Sequence, residues 1–171
     1  MLVVLDLDNT LFAACYNNKF PKNITPDFVT KEYSVKYRPH LKEFLEYCFD
    51  NFEVGVYSAA EYNYCHTIMK PLMKDKLLFL YTEEDCILRL DGYKKGCKEF
   101  EEIFDANDTI IIDDKSSVWN RSICYDNVVK IKPFELFNDV LLNDDCLLRC
   151  MEKLEEVKGK KVSQIDLKWF E

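Results

Sequence analysis

Two apolar runs that end in paired acids constrain this chain more than any other feature: LVVLDLDNT at residues 2–10 and DTIIIDDKS at residues 108–116. Each reads as a strand buried on both faces, and such uninterrupted apolar runs are typical of parallel sheets. The first strand extends through Leu5, so Asp6 and Asp8 emerge at its carboxyl end, and Asp113 and Asp114 emerge at the end of the second. Open α/β sheets keep their ligands at that end.

Further apolar runs alternate with helical patterns. RPHLKEFLEYCFDNF places Leu41, Phe44, Leu45, Cys48 and Phe49 on one helical face, with Pro39 suited to the first turn. EVGVYS is a second core strand, ending at Ser58. AAEYNYCHTIMKPLM reads as a helix that Pro71 bends or ends. LLFLY and CILRL read as short strands, KEFEEIF as a helix, NVVKI as a strand and CLLRCMEKLEEV as a closing amphipathic helix. Between the first strand and Arg38, AACYNNKFPKNITPDFVTKEY is polar and broken by Pro21 and Pro26, so it reads as an irregular excursion, with YSVKY adding a short strand. The alternation predicts an α/β fold with a doubly wound parallel sheet. At 171 residues with 48% hydrophobic and 14% aromatic content, the chain has material for one substantial core, and a single domain over residues 1–171 is expected.

Composition disfavours several classes of function. A formal charge of -8 disfavours non-specific binding to nucleic acid or anionic membrane, because both reward clustered Lys and Arg. No apolar run reaches the roughly 18 residues that a bilayer span requires. No basic-then-apolar leader precedes the first strand, so an intracellular protein, cytoplasmic or nuclear, is expected. The eight cysteines are then expected as free thiols. Cys146 and Cys150 have helical spacing within an apolar stripe and lack the paired knuckles of a zinc site. The NIT acceptor at Asn23 is discounted for the same reason of compartment. The abundance of Lys, Asn, Ile, Tyr and Asp suits a large DNA virus or an AT-rich unicellular eukaryote.

In a doubly wound sheet Asp6, Asp8, Ser58, Asp113 and Asp114 all fall at strand carboxyl ends and can converge. Convergent carboxylates repel unless a cation joins them, and a hard divalent ion with oxygen ligands, Mg2+, would also grip a phosphate. A single acid at a strand end is usually a cap or a solvated turn residue. Several acids at two strand ends are harder to explain that way.

The run DLDNT fits the D-x-D-x-[TV] signature of the haloacid dehalogenase superfamily. With KYRPHLKEFLEY, VGVYSAA, a lysine segment and IIIDDKSSVWN following in order, the chain resembles the phosphatases of the RNA polymerase II carboxyl-terminal domain, the NLI-interacting-factor-like family, from about residue 2 to about residue 157. The resemblance implies a haloacid dehalogenase-like Rossmannoid sheet with a small β insertion and no large cap. It implies a magnesium-dependent Ser/Thr phosphoprotein phosphatase, with Asp6 as nucleophile forming an aspartyl-phosphate and Asp8 as general acid, then base. Asp8 would also offer the metal its backbone carbonyl. Thr10 would orient these groups, and Ser58 would bond a phosphoryl oxygen where relatives more often carry threonine. Asp113 or Asp114 would complete the metal shell, with Asp114 favoured. The cation that offsets phosphoryl charge would come from YKKGCKEF: spacing and the KEF helix start favour Lys98, which leaves Lys94 and Lys95 as solvated lysines. Arg38 is expected as a structural residue at the surface before a helix.

One stretch departs from the family. Small relatives carry an arginine-glutamate-serine-cysteine run that holds the peptide, and here TEEDCIL stands in its place without the arginine. The chemistry transfers, and recognition of the polymerase repeat does not follow from it. Two alternatives are a nucleic-acid end phosphatase, disfavoured by the acidic balance, and a catalytically silent binding module of the same fold, disfavoured by the complete acidic motif.

Overall fold

The computed structural model describes residues 1–73, 76–90, 92–137 and 143–170. Its centre is a sheet of five strands: β1 (Leu2–Leu5), β5 (Glu53–Tyr57), β6 (Phe79–Tyr81), β9 (Thr109–Asp113) and β10 (Val128–Lys130). All are parallel, in the order β10-β9-β1-β5-β6. β1 lies in the middle, its four residues buried, and it alternates between the two layers. Val3 and Leu5 join one core cluster with Ile110 and Ile112 of β9. Leu2 and Val4 join the other with Ile111. The unbroken apolar runs follow directly, since each face of the strand meets a separate hydrophobic layer.

Helices α1 (Leu41–Asn51), α2 (Tyr62–Met73) and α4 (Cys146–Val157) supply the first layer through Phe44, Leu45, Cys65, Ile68, Leu147 and Leu154. Helix α3 (Lys98–Ile103) supplies the second through Phe100, beside Tyr57 and Trp119. The sheet is therefore doubly wound, as its alternating pattern predicts. Helix α2 runs two residues past Pro71. Pro39 lies in the turn before α1, next to His40, whose φ of 66° places it in the left-handed region. Gly55 on β5 is required by close approach: a Cβ there would lie 2.2 Å from the Phe79 ring of β6.

The excursion after β1 is not irregular. Its strands β2 (Phe12–Tyr16), β3 (Phe28–Val29) and β4 (Tyr33–Tyr37) form a three-stranded antiparallel sheet in the order β2-β4-β3. The prolines lie between strands rather than within them, which is where a missing N–H costs nothing. A second small insertion, the hairpin β7 (Ile87–Arg89) and β8 (Gly92–Lys94), stands between β6 and α3. All eight cysteines are free; Cys146 and Cys150 are buried in the core. No helix among the described residues is long and apolar enough to cross a membrane.

Candidate active site

The register of the central sheet sets the site. Leu5 pairs with Ile112 across β1 and β9, and Asp6 and Asp113 follow one residue later on each strand, with the Asp6 N–H donating to the Ile112 carbonyl at 3.0 Å. Parallel neighbours in register present side chains to the same face, so the two carboxylates are brought together. Carboxylate oxygens of Asp6, Asp113 and Asp114 lie within 4.8 Å of one another.

A buried ammonium holds the first two. Lys95 Nζ lies 2.5 Å from Asp6 Oδ1 and 2.7 Å from Asp113 Oδ2, and the lysine is 2% exposed. Its third neighbour is the Trp119 ring, with the centroid at 5.2 Å. Asp113 is further occupied by Trp119 Nε1–H at 2.8 Å and by the Lys115 N–H at 2.7 Å. Burial pushes the Asp6 carboxyl up to about 7, helped by the adjacent Asp113 and opposed by Lys95. For Lys95 the burial that would lower its pKa is outweighed by Asp6 and Asp113, so the ammonium is held charged.

The lysine in this position is Lys95, not the favoured Lys98. Lys98 opens α3 with its side chain exposed, and Lys94 Nζ reaches the Ser117 carbonyl at 2.8 Å. Lys95 is drawn inward by its backbone, which donates to Val118 O at 2.8 Å and accepts from the Asn120 N–H at 3.0 Å. The turn that follows is held by the Tyr57 hydroxyl, which accepts from the N–H groups of Gly96 at 3.1 Å and Cys97 at 3.2 Å. Gly96 has a φ of 112°, conformational space that a side chain would strain. Family spacing and the KEF helix start point to Lys98 and do not register this inward bridge.

The second acids have neutral partners. Asp114 Oδ1 accepts from Thr10 Oγ1 at 3.2 Å while its N–H donates to the same hydroxyl at 3.1 Å. Asp8 accepts a hydrogen bond from the Tyr64 hydroxyl of α2. Burial raises the pKa of both carboxyls, and for Asp8 the bond from Tyr64 works against that rise. Asn9 takes the left-handed turn between these residues with φ at 62°, a conformation that Asn tolerates better than most residues. Ser58 sits just past β5, 2% exposed, its Oγ accepting from the Ala60 N–H at 3.1 Å.

Arg38 is not at the surface. It is 1% exposed and grips both Asp144 oxygens at 2.9 Å, the Thr10 carbonyl at 3.1 Å and the Lys132 carbonyl at 2.8 Å. It thereby ties the first acidic loop to the start of α4. Its structural role stands and its expected exposure does not, because the carboxylate that admits it to the interior lies 106 residues away.

Beside Tyr64, a cleft of about 440 Å³ runs between α2 and the β3–β4 turn, lined by Tyr33, Glu32, Lys31, Glu61 and Asn63 among others. A larger cavity of about 630 Å³ lies between β10 and the C-terminal segment and contains none of the convergent carboxylates. The smaller cleft also lacks the convergent carboxylates in its lining and is connected to them through Tyr64, whose hydroxyl reaches Asp8.

A parallel sheet wound on both faces, with carboxylates from two adjacent strand ends meeting at a buried lysine, is consistent with the haloacid dehalogenase-like phosphatases that the sequence resembles. The chain belongs to the NLI interacting factor-like phosphatase family, whose model matches residues 1–165. It is 30% identical to the CTD phosphatase-like protein 355R of Invertebrate iridescent virus 6, over 89% of this chain and 96% of that protein. It is 28% identical to the RNA polymerase II C-terminal domain phosphatase of Encephalitozoon cuniculi, over 94% of this chain and 38% of the relative. Among solved structures it resembles the fission yeast RNA polymerase II CTD phosphatase Fcp1 bound to beryllium fluoride, with a TM-score of 0.60 at 18% identity, covering 92% of this chain and 50% of that one. The chain thus spans nearly all of its viral relative and half or less of the cellular ones.

Proposed function

We propose that the chain is a magnesium-dependent phosphatase of phosphoserine or phosphothreonine proteins, its residues 1–171 forming one catalytic domain, acting through an aspartyl-phosphate on Asp6. The observation that carries the reading is the Asp6–Lys95–Asp113 arrangement beside Asp114: three converging carboxylates against one ammonium. A divalent cation fits the donor set, since hard oxygen ligands and surplus negative charge are what Mg2+ requires. Asp6, Asp114 and the backbone of Asp8 would hold it; Asp113, saturated by Lys95, Trp119 and Lys115, would orient Lys95 instead. The ion would neutralise charge on the transferring phosphoryl group.

The protein's own groups account for the rest. An Asp6 carboxylate oxygen attacks phosphorus, the ester P–O bond breaks, and Asp8 gives its proton to the departing alkoxide. Water then attacks the same phosphorus, Asp8 takes its proton, and the bond to Asp6 breaks. Lys95 offsets charge on the phosphoryl oxygens, and Ser58 offers a hydroxyl to one of them. Thr10 holds Asp114 in place.

Two small β insertions stand where a helical cap would close over a metabolite, and the open cleft beside Tyr64 suits an extended chain. Glu32 and Glu61 outnumber Lys31 there, which favours a peptide with basic neighbours over a polyanion. The near end-to-end match to an iridescent-virus protein supports a large DNA virus as the source. Catalytic efficiency on phosphopeptides, sugar phosphates, nucleotides and 3'-phosphorylated oligonucleotides tests the reading. Phosphopeptides should rank first, and a nucleotide or sugar phosphate turned over faster than every peptide would overturn it.

A further inference from the structure

The residue that holds Asp8 cannot be read from the first acidic motif, because it lies 56 positions away on α2. Tyr64 donates its hydroxyl to Asp8 Oδ1. The other oxygen, Oδ2, takes no part in that contact. A proton donor must meet its acceptor at hydrogen-bond distance and with one oxygen presented; a carboxyl group on a freely rotating side chain offers either oxygen in many directions. Anchoring Oδ1 restricts that freedom and leaves Oδ2 to face a leaving group.

The anchor is itself braced. Tyr64 packs edge-on against Tyr33 of the insertion sheet, with ring centroids 5.0 Å apart and planes at 77°. Tyr33 stacks on Tyr16 at 4.9 Å, and Tyr16 is 51% exposed. Edge-to-face and offset-stacked pairs are the favoured aromatic geometries. The three rings form a continuous line from the outer strand of the insertion to the Asp8 carboxylate, with the cleft that Tyr33 and Tyr64 line alongside.

We propose that Tyr64 is the positioning residue for Asp8, and that the insertion sheet fixes its ring through Tyr33. This rests on Asp8 being the proton donor to the leaving group. Removing only the hydroxyl, Tyr64→Phe keeps the ring contacts and frees the carboxylate. Turnover of a phosphoserine peptide should fall on the order of tenfold to hundredfold, the cost of a misplaced catalytic group, with KM within twofold. Turnover of an aryl phosphate, whose leaving group needs little protonation, should fall much less. Tyr33→Leu, which also alters the cleft lining, should give the same selectivity in kcat with a smaller loss, whatever its effect on the KM of the peptide. Equal loss on both substrates, or no loss from Tyr64→Phe, would overturn the proposal.

A readout independent of activity separates this from the proposed function. The side-chain carboxyl carbon of Asp8 should shift in its 13C resonance on Tyr64→Phe, whether or not the wild type is an active phosphatase. An unmoved Asp8 resonance would overturn the positioning role even in an active enzyme. A wild type that hydrolyses neither substrate, with the resonance shifted, would remove the phosphatase reading while leaving Tyr64 as the anchor of Asp8.

Discussion

The first acid of each strand end and the second acid of each live in different surroundings. Asp6 and Asp113 share one buried ammonium, whereas Asp8 and Asp114 each meet a neutral hydroxyl, from Tyr64 and Thr10. The inner pair faces mutual repulsion with a single cation between them, an arrangement that burial makes costly and that a second cation would relieve. The outer pair is oriented without being neutralised. Four chemically identical side chains are thereby divided into a pair joined by one ammonium and a pair oriented by hydroxyls, and the proposed mechanism would use the first for attack and phosphoryl binding and Asp8 of the second for proton transfer.

Breaking the inner pair should have the largest effects. Asp6→Asn should abolish turnover, because an amide neither attacks phosphorus nor balances the cation; steady-state assay beside a thermal melt distinguishes this from unfolding. Lys95→Met should cost on the order of a hundredfold or more in kcat, as for other preorganised electrostatic groups, while Lys98→Ala stays within about twofold, in line with an exposed side chain outside the site. A reversed ranking would place the phosphoryl-binding lysine on α3. Breaking the outer pair should be gentler: Asp114→Asn should raise the magnesium concentration needed for half-maximal activity by roughly tenfold or more, the scale on which groups around a metal affect its affinity, with maximal turnover less affected.

The smallest effect concerns stability. The native Asp6 carboxyl, raised to about 7 from its ordinary 3.8, holds its proton over a range in which the unfolded chain has released it. Stability from this group is therefore fully present below about pH 4 and lost as pH rises through about 7. Urea midpoints of the metal-free protein should show a downward contribution between about pH 4 and about pH 7, reduced in Asp6→Asn and reduced by added magnesium. An identical slope in Asp6→Asn would assign it to other groups.

How much of this was legible in sequence follows from where the determining contacts lie. The acidic strand ends were readable because β1 and β9 are buried on both faces, so their apolar runs are continuous and the polar side chains begin where the strands end. The helices were readable from their apolar faces. The insertion sheet was not, since its strands are short and its prolines, which lie between strands, resemble breakers of the whole segment. Lys95 was obscured by two neighbouring lysines and is selected by a backbone bridge to the loop after β9, a contact that no local pattern encodes. Arg38 and Tyr64 depend on partners 106 and 56 positions away, and a lone arginine or tyrosine carries no mark of such a partner. Tertiary pairing, rather than propensity, decided each of these positions.

The central claim is phosphoryl transfer to Asp6 in a metal-dependent site, and it is tested most directly by turnover of a generic aryl phosphate by the wild-type protein and Asp6→Asn, with magnesium and after chelation. The account predicts hydrolysis by the wild type with magnesium alone, lost on chelation, restored by adding the ion back, and absent in Asp6→Asn. Hydrolysis that persists at the same rate after chelation, or in Asp6→Asn, would contradict it.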